Sequence, residues 1–232
     1  FLNHFQHATT NSLLNAPIAT CFDQWPVLVF SHGWNGMRYQ NTAQMEALAS
    51  HGYIVFAPEH AYGAVVTVYP DGTRIYNKDG ALPSGVSDEE YDAAATILGQ
   101  SWVGDLVFTL DQIERLQSGE IISIFQSYLD TSRIGMIGHS TGGGAVLQTC
   151  WQDERCQAVV GEDPWLVPYD RAMPASELKL PSLNMFSENW LREPNLALNN
   201  QLWDNQPPGA QRMTIFGTQH YDFSDISLYS PL

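Results

Sequence analysis

The sequence predicts an α/β protein in which a mostly parallel central sheet carries helices on both faces. Two observations lead there. Short β-rich apolar runs alternate with helical stretches, and neither repeats nor a break in composition interrupts them. Hydrophobic residues make up 44% of the chain and charged residues only 15%, a balance that suits a sheet buried on both sides. The 232 residues fit one sizeable domain, residues 1–232, better than two.

The elements follow in order. Val27-Leu28-Val29-Phe30 is a short apolar run that stops at Ser31-His32-Gly33, and residues 42–50 read as a helix closed by Gly52. Tyr53-Ile54-Val55-Phe56-Ala57 is the next buried strand, stopped by Pro58. Residues 61–85 hold Pro70, Asp71-Gly72, Asp79-Gly80 and Pro83-Ser84-Gly85, the composition of a long excursion rich in turns. From Ser87 the chain becomes helical, with Leu106, Leu110, Ile113 and Leu116 on one face. Ile134-Gly135-Met136-Ile137 is a strand, residues 143–151 a helix and residues 157–161 another strand. Residues 181–186 and 212–216 complete the set, and the crossovers should be right-handed.

Charge narrows the classes of partner. With 25 acids against 10 bases the formal charge is -15, which repels phosphate backbones and disfavours docking to anionic lipid. Nucleic acid is therefore not an expected partner. Runs of about 18 apolar residues are missing, so no transmembrane helix is expected. The opening Phe1-Leu2-Asn3-His4-Phe5-Gln6-His7 has neither the basic start nor the apolar stretch of a signal peptide. Position 1 is not Met, so the chain reads as processed or trimmed, with any targeting segment already removed.

Cys150 and Cys156 flank a polar turn between helix and strand, a separation that allows a small disulfide loop in an oxidising compartment. Two unpaired, half-buried thiols are the alternative. A metal site is not expected, because no second cysteine pair or suitably spaced histidine accompanies them.

The chemistry centres on Gly138-His139-Ser140-Thr141-Gly142. Chance alone produces such a pentad in roughly one chain in ten of this glycine content, so the context matters. Here it directly follows an apolar strand and opens a helix of small residues, Gly142-Gly143-Gly144-Ala145. That is a nucleophile elbow, as in the α/β-hydrolase fold: a strained turn lifts the serine hydroxyl out of the sheet, and small neighbours let the helix approach. The bland alternative is a Ser/Thr/Gly helix start with His139 merely packed.

A serine hydroxyl needs a base to take its proton and an acid to orient that base. In this fold both follow the serine, acid first. Of the seven histidines only His220 lies beyond Ser140, in Gly217-Thr218-Gln219-His220, just past the last predicted strand. For the acid, Asp163 follows the strand at residues 157–161, with Glu162 as immediate rival and Asp153, Asp170 and Glu188 further off. Residue order alone leaves Asp163 and Glu162 both open. The backbone N–H groups of Thr141 and of Trp34, in the turn Ser31-His32-Gly33-Trp34-Asn35-Gly36, are the expected oxyanion donors. Trp34, His139 and Trp165 are the expected substrate contacts.

These motifs together resemble the plasma and intracellular type II platelet-activating-factor acetylhydrolases and their microbial relatives. The resemblance runs through Pro26-Val27-Leu28-Val29-Phe30-Ser31-His32-Gly33, Leu48-Ala49-Ser50-His51-Gly52-Tyr53-Ile54-Val55 and Pro58-Glu59-His60. It continues in Ile137-Gly138-His139-Ser140-Thr141-Gly142-Gly143-Gly144, Gly161-Glu162-Asp163-Pro164-Trp165 and Gly217-Thr218-Gln219-His220.

The resemblance implies a calcium-independent Ser140-Asp163-His220 mechanism without cofactor. It would release short or oxidised acyl groups from the sn-2 position of phospholipids, and it favours Asp163 over Glu162. Two positions differ from the family pattern: Ala61-Tyr62-Gly63-Ala64 stands where relatives carry a basic and then a polar residue, and Thr141 where a bulky residue is common. The fold usually also has two or three strands before the first one found here.

A small-molecule or lipid ester is thus the expected partner, with peripheral contact to lipid aggregates and a secreted, extracellular location. A general carboxylesterase, lipase or polyester hydrolase would share the triad. A non-catalytic binding module on the same fold is the remaining alternative. Among the seven tryptophans, exposure of Trp102, Trp190 and Trp203 would mark a lipid-facing patch.

Overall fold

The structure is a computed structural model describing residues 9–78 and 81–229, so the opening residues 1–7 and the Asp79-Gly80 turn lie outside the described residues. The chain begins with β1 (Trp25–Ser31), α1 (Thr42–Ser50) and β2 (Ile54–Phe56), then a hairpin of β3 (Val66–Val68) and β4 (Arg74–Tyr76). The long helix α2 (Asp88–Ser118) leads to β5 (Leu129–His139), α3 (Thr141–Gln152) and β6 (Cys156–Glu162). It closes with β7 (Ser182–Ser187), α4 (Asn195–Asp204), β8 (Gln211–Ile215), a 3₁₀ turn at His220–Phe223 and α5 (Ile226–Tyr229).

Six strands form one sheet in the order β2-β1-β5-β6-β7-β8, and every neighbouring pair is parallel. From β1 the chain steps outward to β2, then α2 carries it back across to β5 on the other side of β1. The order therefore reverses between β1 and β5, which opens a crevice at their C-terminal ends. Both Ser31-His32-Gly33 and Ser140 sit at that edge.

Side chains alternate across the strands, as the pleat requires. Val27, Val29, Ile134, Met136 and Val159 join Leu106, Leu110 and Ile113 of α2 and Ala145, Val146 and Leu147 of α3 in one buried cluster. Phe30 and Ile137, in the opposite phase, are buried too. Gln44 of α1 reaches Glu162 of β6, which places the start of α1 over that sheet edge.

Helix α2 starts at a capping box, Ser87 with Glu90, and ends at Gly119, whose φ of 82° ordinary residues avoid. At 31 residues, with an 18-residue window of mean hydropathy 1.2, it is long and apolar enough to cross a membrane by length and composition. This qualifies the sequence expectation. Its apolar side, however, covers the core: Leu98, Trp102, Leu106, Leu110 and Ile113 are all buried.

Other differences have local causes. Strand β5 begins at Leu129 rather than Ile134, because a register shift lets the polar Asp130 neighbourhood pair with Trp25 and Pro26. The excursion at residues 61–85 holds the β3–β4 hairpin, whose turn uses Asp71 and Gly72 (φ 84°). Cys150 and Cys156 are joined by a disulfide, Cα atoms 5.1 Å apart, while Cys21 is free and exposed. No strand precedes Trp25 among the described residues.

Candidate active site

At the end of β5 the backbone turns sharply into α3, and Ser140 takes φ 57° and ψ −118° at the joint. The close fit around it explains the glycines. A Cβ at Gly138 would overlap the carbonyl of Gly142, and one at Gly144 would overlap the Trp165 carbonyl and the Tyr169 ring. Ser140 N–H donates to the Glu162 carbonyl at 2.9 Å, and its own carbonyl accepts from Gly144 N at 3.1 Å and Trp165 N at 2.9 Å.

Three side chains from separate loops meet here. Ser140 Oγ lies 3.0 Å from His220 Nε2, and His220 Nδ1 lies 3.0 Å from Asp163 Oδ2. Asp163 is wholly buried and sits at φ 46°, in the left-handed region that asparagine and aspartate tolerate best. Its carboxylate also accepts from Ser187 N at 2.7 Å and Ser187 Oγ at 2.6 Å. Buried and acceptor-only, it requires a hydrogen on His220 Nδ1, which leaves Nε2 free to take a proton from Ser140.

Glu162 goes the other way, as its place next along the strand demands. It is buried against α1, where Gln44 Nε2 donates at 2.5 Å and Asn41 Nδ2 at 3.4 Å. Burial, with Asp163 nearby, pushes its carboxyl up to about 7. Of the more distant rivals, Asp153 pairs with Arg155 at 2.7 Å, Glu188 accepts from Gly217 N at 3.0 Å and Asp170 from Ala172 N at 2.9 Å. Among the described residues none of these three makes a hydrogen bond or ion pair with His220.

His220 is framed on both sides. Trp190 stacks on its ring, centroids 3.7 Å apart and planes 6° apart. His139 lies behind it at 4.4 Å, and His139 Nε2–H donates to the His220 carbonyl at 2.9 Å. Gln40 Nε2 donates to His139 Nδ1 at 2.8 Å, which fixes that tautomer. Burial, and then the proximity of His220, pushes His139 down to about 3, so its ring is neutral. His139 reaches the cavity wall but is only 1% exposed with both nitrogens engaged, a strut more than a substrate contact.

A cavity of about 1260 Å³ opens over Ser140, walled by Trp34, Tyr91, Trp165 and Trp190, with Tyr39, Tyr221 and Ile226 also on its lining. Thr141 is the first residue of α3, where an amide has no partner one turn back. Gly33 packs beside Ser140: a Cβ there would lie 3.2 Å from the Ser140 Cβ. This brings the Trp34 turn alongside Thr141. Trp102 is buried in the core, Trp190 serves His220 and Trp203 is 40% exposed, so the three tryptophans make no common patch.

Several site residues escape a sequence reading. Ser187 carries the only local signal, a serine at the C-terminal edge of a strand. Gln40, Asn41 and Trp190 act through contacts far apart in sequence. Asn195 and Asn199 escape because the buried face of α4 is polar: both donate to the Pro164 carbonyl, and Asn195 Oδ1 accepts from Leu166 N.

A parallel sheet that reverses order at β1/β5, with an elbow after β5 and an acid and histidine later in the chain, is an α/β-hydrolase. Within that fold the chain belongs to the family described as platelet-activating factor acetylhydrolase, isoform II, whose profile matches residues 1–79 and 88–232. It is 29% identical to the platelet-activating factor acetylhydrolase of Canis lupus familiaris, across 96% of this chain and 53% of that protein. It is 26% identical to a probable 1-alkyl-2-acetylglycerophosphocholine esterase of Arthroderma benhamiae, across 60% of this chain and 31% of that one. The chain spans about half the length of the mammalian relatives it matches. Among solved structures it is similar to a ferulic acid esterase from Streptomyces cinnamoneus, TM-score 0.70 at 26% identity, covering 88% of this chain and 55% of that one. A dienelactone hydrolase from Anabaena variabilis shares the fold, TM-score 0.52 at 18% identity over 89% and 81% of the two chains.

Proposed function

We propose that this chain is a serine ester hydrolase that releases short, acetyl-like acyl groups from phospholipid or related esters. The observation that carries the reading is the hydrogen-bonded line Ser140–His220–Asp163, with links of 3.0 Å, at the floor of an open cavity. His220 takes the Ser140 proton as Oγ attacks the ester carbonyl, and the Trp34 and Thr141 amides hold the developing oxyanion. The collapsing intermediate breaks the ester C–O bond, and His220 gives its proton to the departing alcohol or lysolipid. Water then enters, and His220 takes its proton as the water oxygen attacks the acyl carbonyl. The intermediate collapses with cleavage of the acyl–Oγ bond, His220 returning the proton to Ser140 Oγ as the carboxylic acid leaves. Asp163, held by Ser187, fixes the His220 tautomer and offsets the charge of the imidazolium.

Family membership supports the acetyl-phospholipid substrate. Trp34 and Trp165 form walls for the ester. Tyr39, Tyr221 and Ile226 are exposed around the lining and suit peripheral contact with zwitterionic or neutral lipid aggregates; a charge of -15 disfavours anionic ones. The disulfide supports an extracellular, oxidising setting.

Ser140→Ala should abolish p-nitrophenyl acetate hydrolysis and labelling by an organophosphate; retention of either removes Ser140 from the mechanism. A second reading, an esterase for bulkier or aromatic acids, is favoured by the aromatic walls and the ferulic acid esterase likeness. Rates across p-nitrophenyl esters from acetyl to palmitoyl, a short-chain phospholipid, a feruloyl ester and a polyester film separate the two. Preference for acetyl esters and the phospholipid supports the first reading.

A further inference from the structure

We propose that His32 is a positioning residue that aims the Trp34 amide at the oxyanion, and that a hydrogen-bonded chain through buried His60 to the half-exposed Asp105 holds it there. The inference rests on the reading of Trp34 as an oxyanion donor.

One peptide plane, Gly33–Trp34, sets where that amide points. The Gly33 carbonyl accepts from His32 Nδ1–H at 2.8 Å and from Gly36 N–H at 2.9 Å. In a trans peptide the carbonyl and the following N–H point opposite ways, so anchoring the one aims the other. With the carbonyl held by the protein, the Trp34 N–H faces away from those donors, in a turn that lines the cavity beside Ser140. The amides on either side are engaged: Gly33 N–H donates to Gln40 Oε1 at 3.3 Å, and Asn35 N–H to the Gly63 carbonyl at 3.0 Å. Among the described residues the Trp34 amide has no such acceptor.

The His32 ring is held so that Nδ1 must donate. Nε2 accepts from the His60 backbone N–H at 3.2 Å and lies 3.2 Å from Glu59 Oε1. If the first contact governs, the ring is neutral with its hydrogen on Nδ1; if the second does, both nitrogens carry one. Either state puts Nδ1–H on the Gly33 carbonyl. The remaining tautomer would set two lone pairs against each other.

Behind His32 stands a second Ser-His-Asp line. His60 Nε2 accepts from Ser31 Oγ at 2.9 Å, its Nδ1–H donates to Asp105 Oδ2 at 2.8 Å, and its ring stacks on Trp102 at 4.0 Å. Burial pushes His60 down to about 4, so it is neutral and serves both bonds at once. Ser31, His32 and His60 are all wholly buried, which rules this line out for attack on a substrate and leaves it a structural brace. It spans β1, the loop after β2 and α2, and ends on the loop that carries Trp34.

The test compares three substitutions in the full chain. His32→Leu should lower kcat for p-nitrophenyl acetate by roughly 10²–10³, the effect of losing one oxyanion donor, with KM changed little. His32→Asn, which can place an amide N–H near the Nδ1 position, should recover most of that loss. His32→Gln, whose amide reaches the Nε2 position instead, should not. The inhibition constant of a trifluoromethyl ketone, whose adduct oxygen sits where the oxyanion would, should rise by the factor that kcat/KM falls. A merely structural role would not produce that proportion.

A folded His32→Leu protein with near-native kcat would overturn the proposal, as would equal activity of the Asn and Gln variants. If His32→Leu does not fold, the Asn–Gln pair decides alone. Failure of the underlying reading looks different: the unsubstituted protein would hydrolyse no ester, or Ser140→Ala would remain active, and the proposal would fall with it.

Discussion

Trp190 covers one face of the His220 ring in nearly parallel stack, and this contact has an energetic meaning beyond packing. As His220 accepts the serine proton it becomes a cation against an aromatic face, an arrangement worth about 0.5–2 kcal/mol. Trp190→Leu should therefore lower kcat by roughly 2- to 30-fold, while Trp190→Phe should restore part of it. Steady-state kinetics on p-nitrophenyl acetate would check this, and equal losses in Leu and Phe would argue for shape alone. That Ser140 and His220 would meet was legible from residue order, because only one histidine follows the serine. The choice between Asp163 and Glu162 was not, since both are carboxylates one residue apart. What separates them is strand geometry: one turns to His220, the other to Gln44.

At the scale of elements, the parallel strands and the elbow could be read because their signal is local: apolar runs, turn glycines, a Ser-capped helix. The hairpin inside the excursion at residues 61–85 and helix α4 could not, since the hairpin is short and the buried face of α4 carries asparagines where a hydrophobic period would be sought. The link between α3 and β6 is covalent. Cys150 and Cys156, six residues apart, close a loop whose lost freedom in the unfolded chain is worth about 2 kcal/mol. A Cys150→Ser/Cys156→Ser double variant should lose about that much stability in urea denaturation. Alkylation of the denatured, unreduced protein should modify Cys21 alone. Labelling of all three cysteines would refute the bond and with it the support for an oxidising setting.

Across the whole molecule, three buried groups tie stability to pH with opposing signs. His60, pushed down to about 4, and His139, pushed down to about 3, bind fewer protons folded than unfolded below the usual 6.5. Their contribution is therefore lost as pH falls through that value. Glu162, raised from 4.5 to about 7, binds more protons when folded, so its contribution is present at low pH and lost as pH rises towards 7. Removing it should steepen the acid side: the melting temperature of Glu162→Gln should fall more between pH 8 and pH 5 than that of the native chain. Parallel curves for the two proteins would contradict the raised carboxyl. None of these couplings was visible in composition, because each depends on which side chains the fold takes out of water.

The backbone of Ser140 is bonded through its amide to Glu162 and through its carbonyl to Trp165, the residues on either side of Asp163 and Pro164. Ser140 and Asp163 thus ride on a single stitched unit of β5, α3 and β6. Apart from Trp165, the cavity walls come from elsewhere: the turn after β1, the start of α2, and the segments around Trp190 and Tyr221. Selection can then redraw the walls residue by residue while Ser140 and Asp163 keep their spacing. A wall segment transplanted from a relative should carry its preference for a particular ester with it, whereas a transplanted elbow would arrive without its anchor.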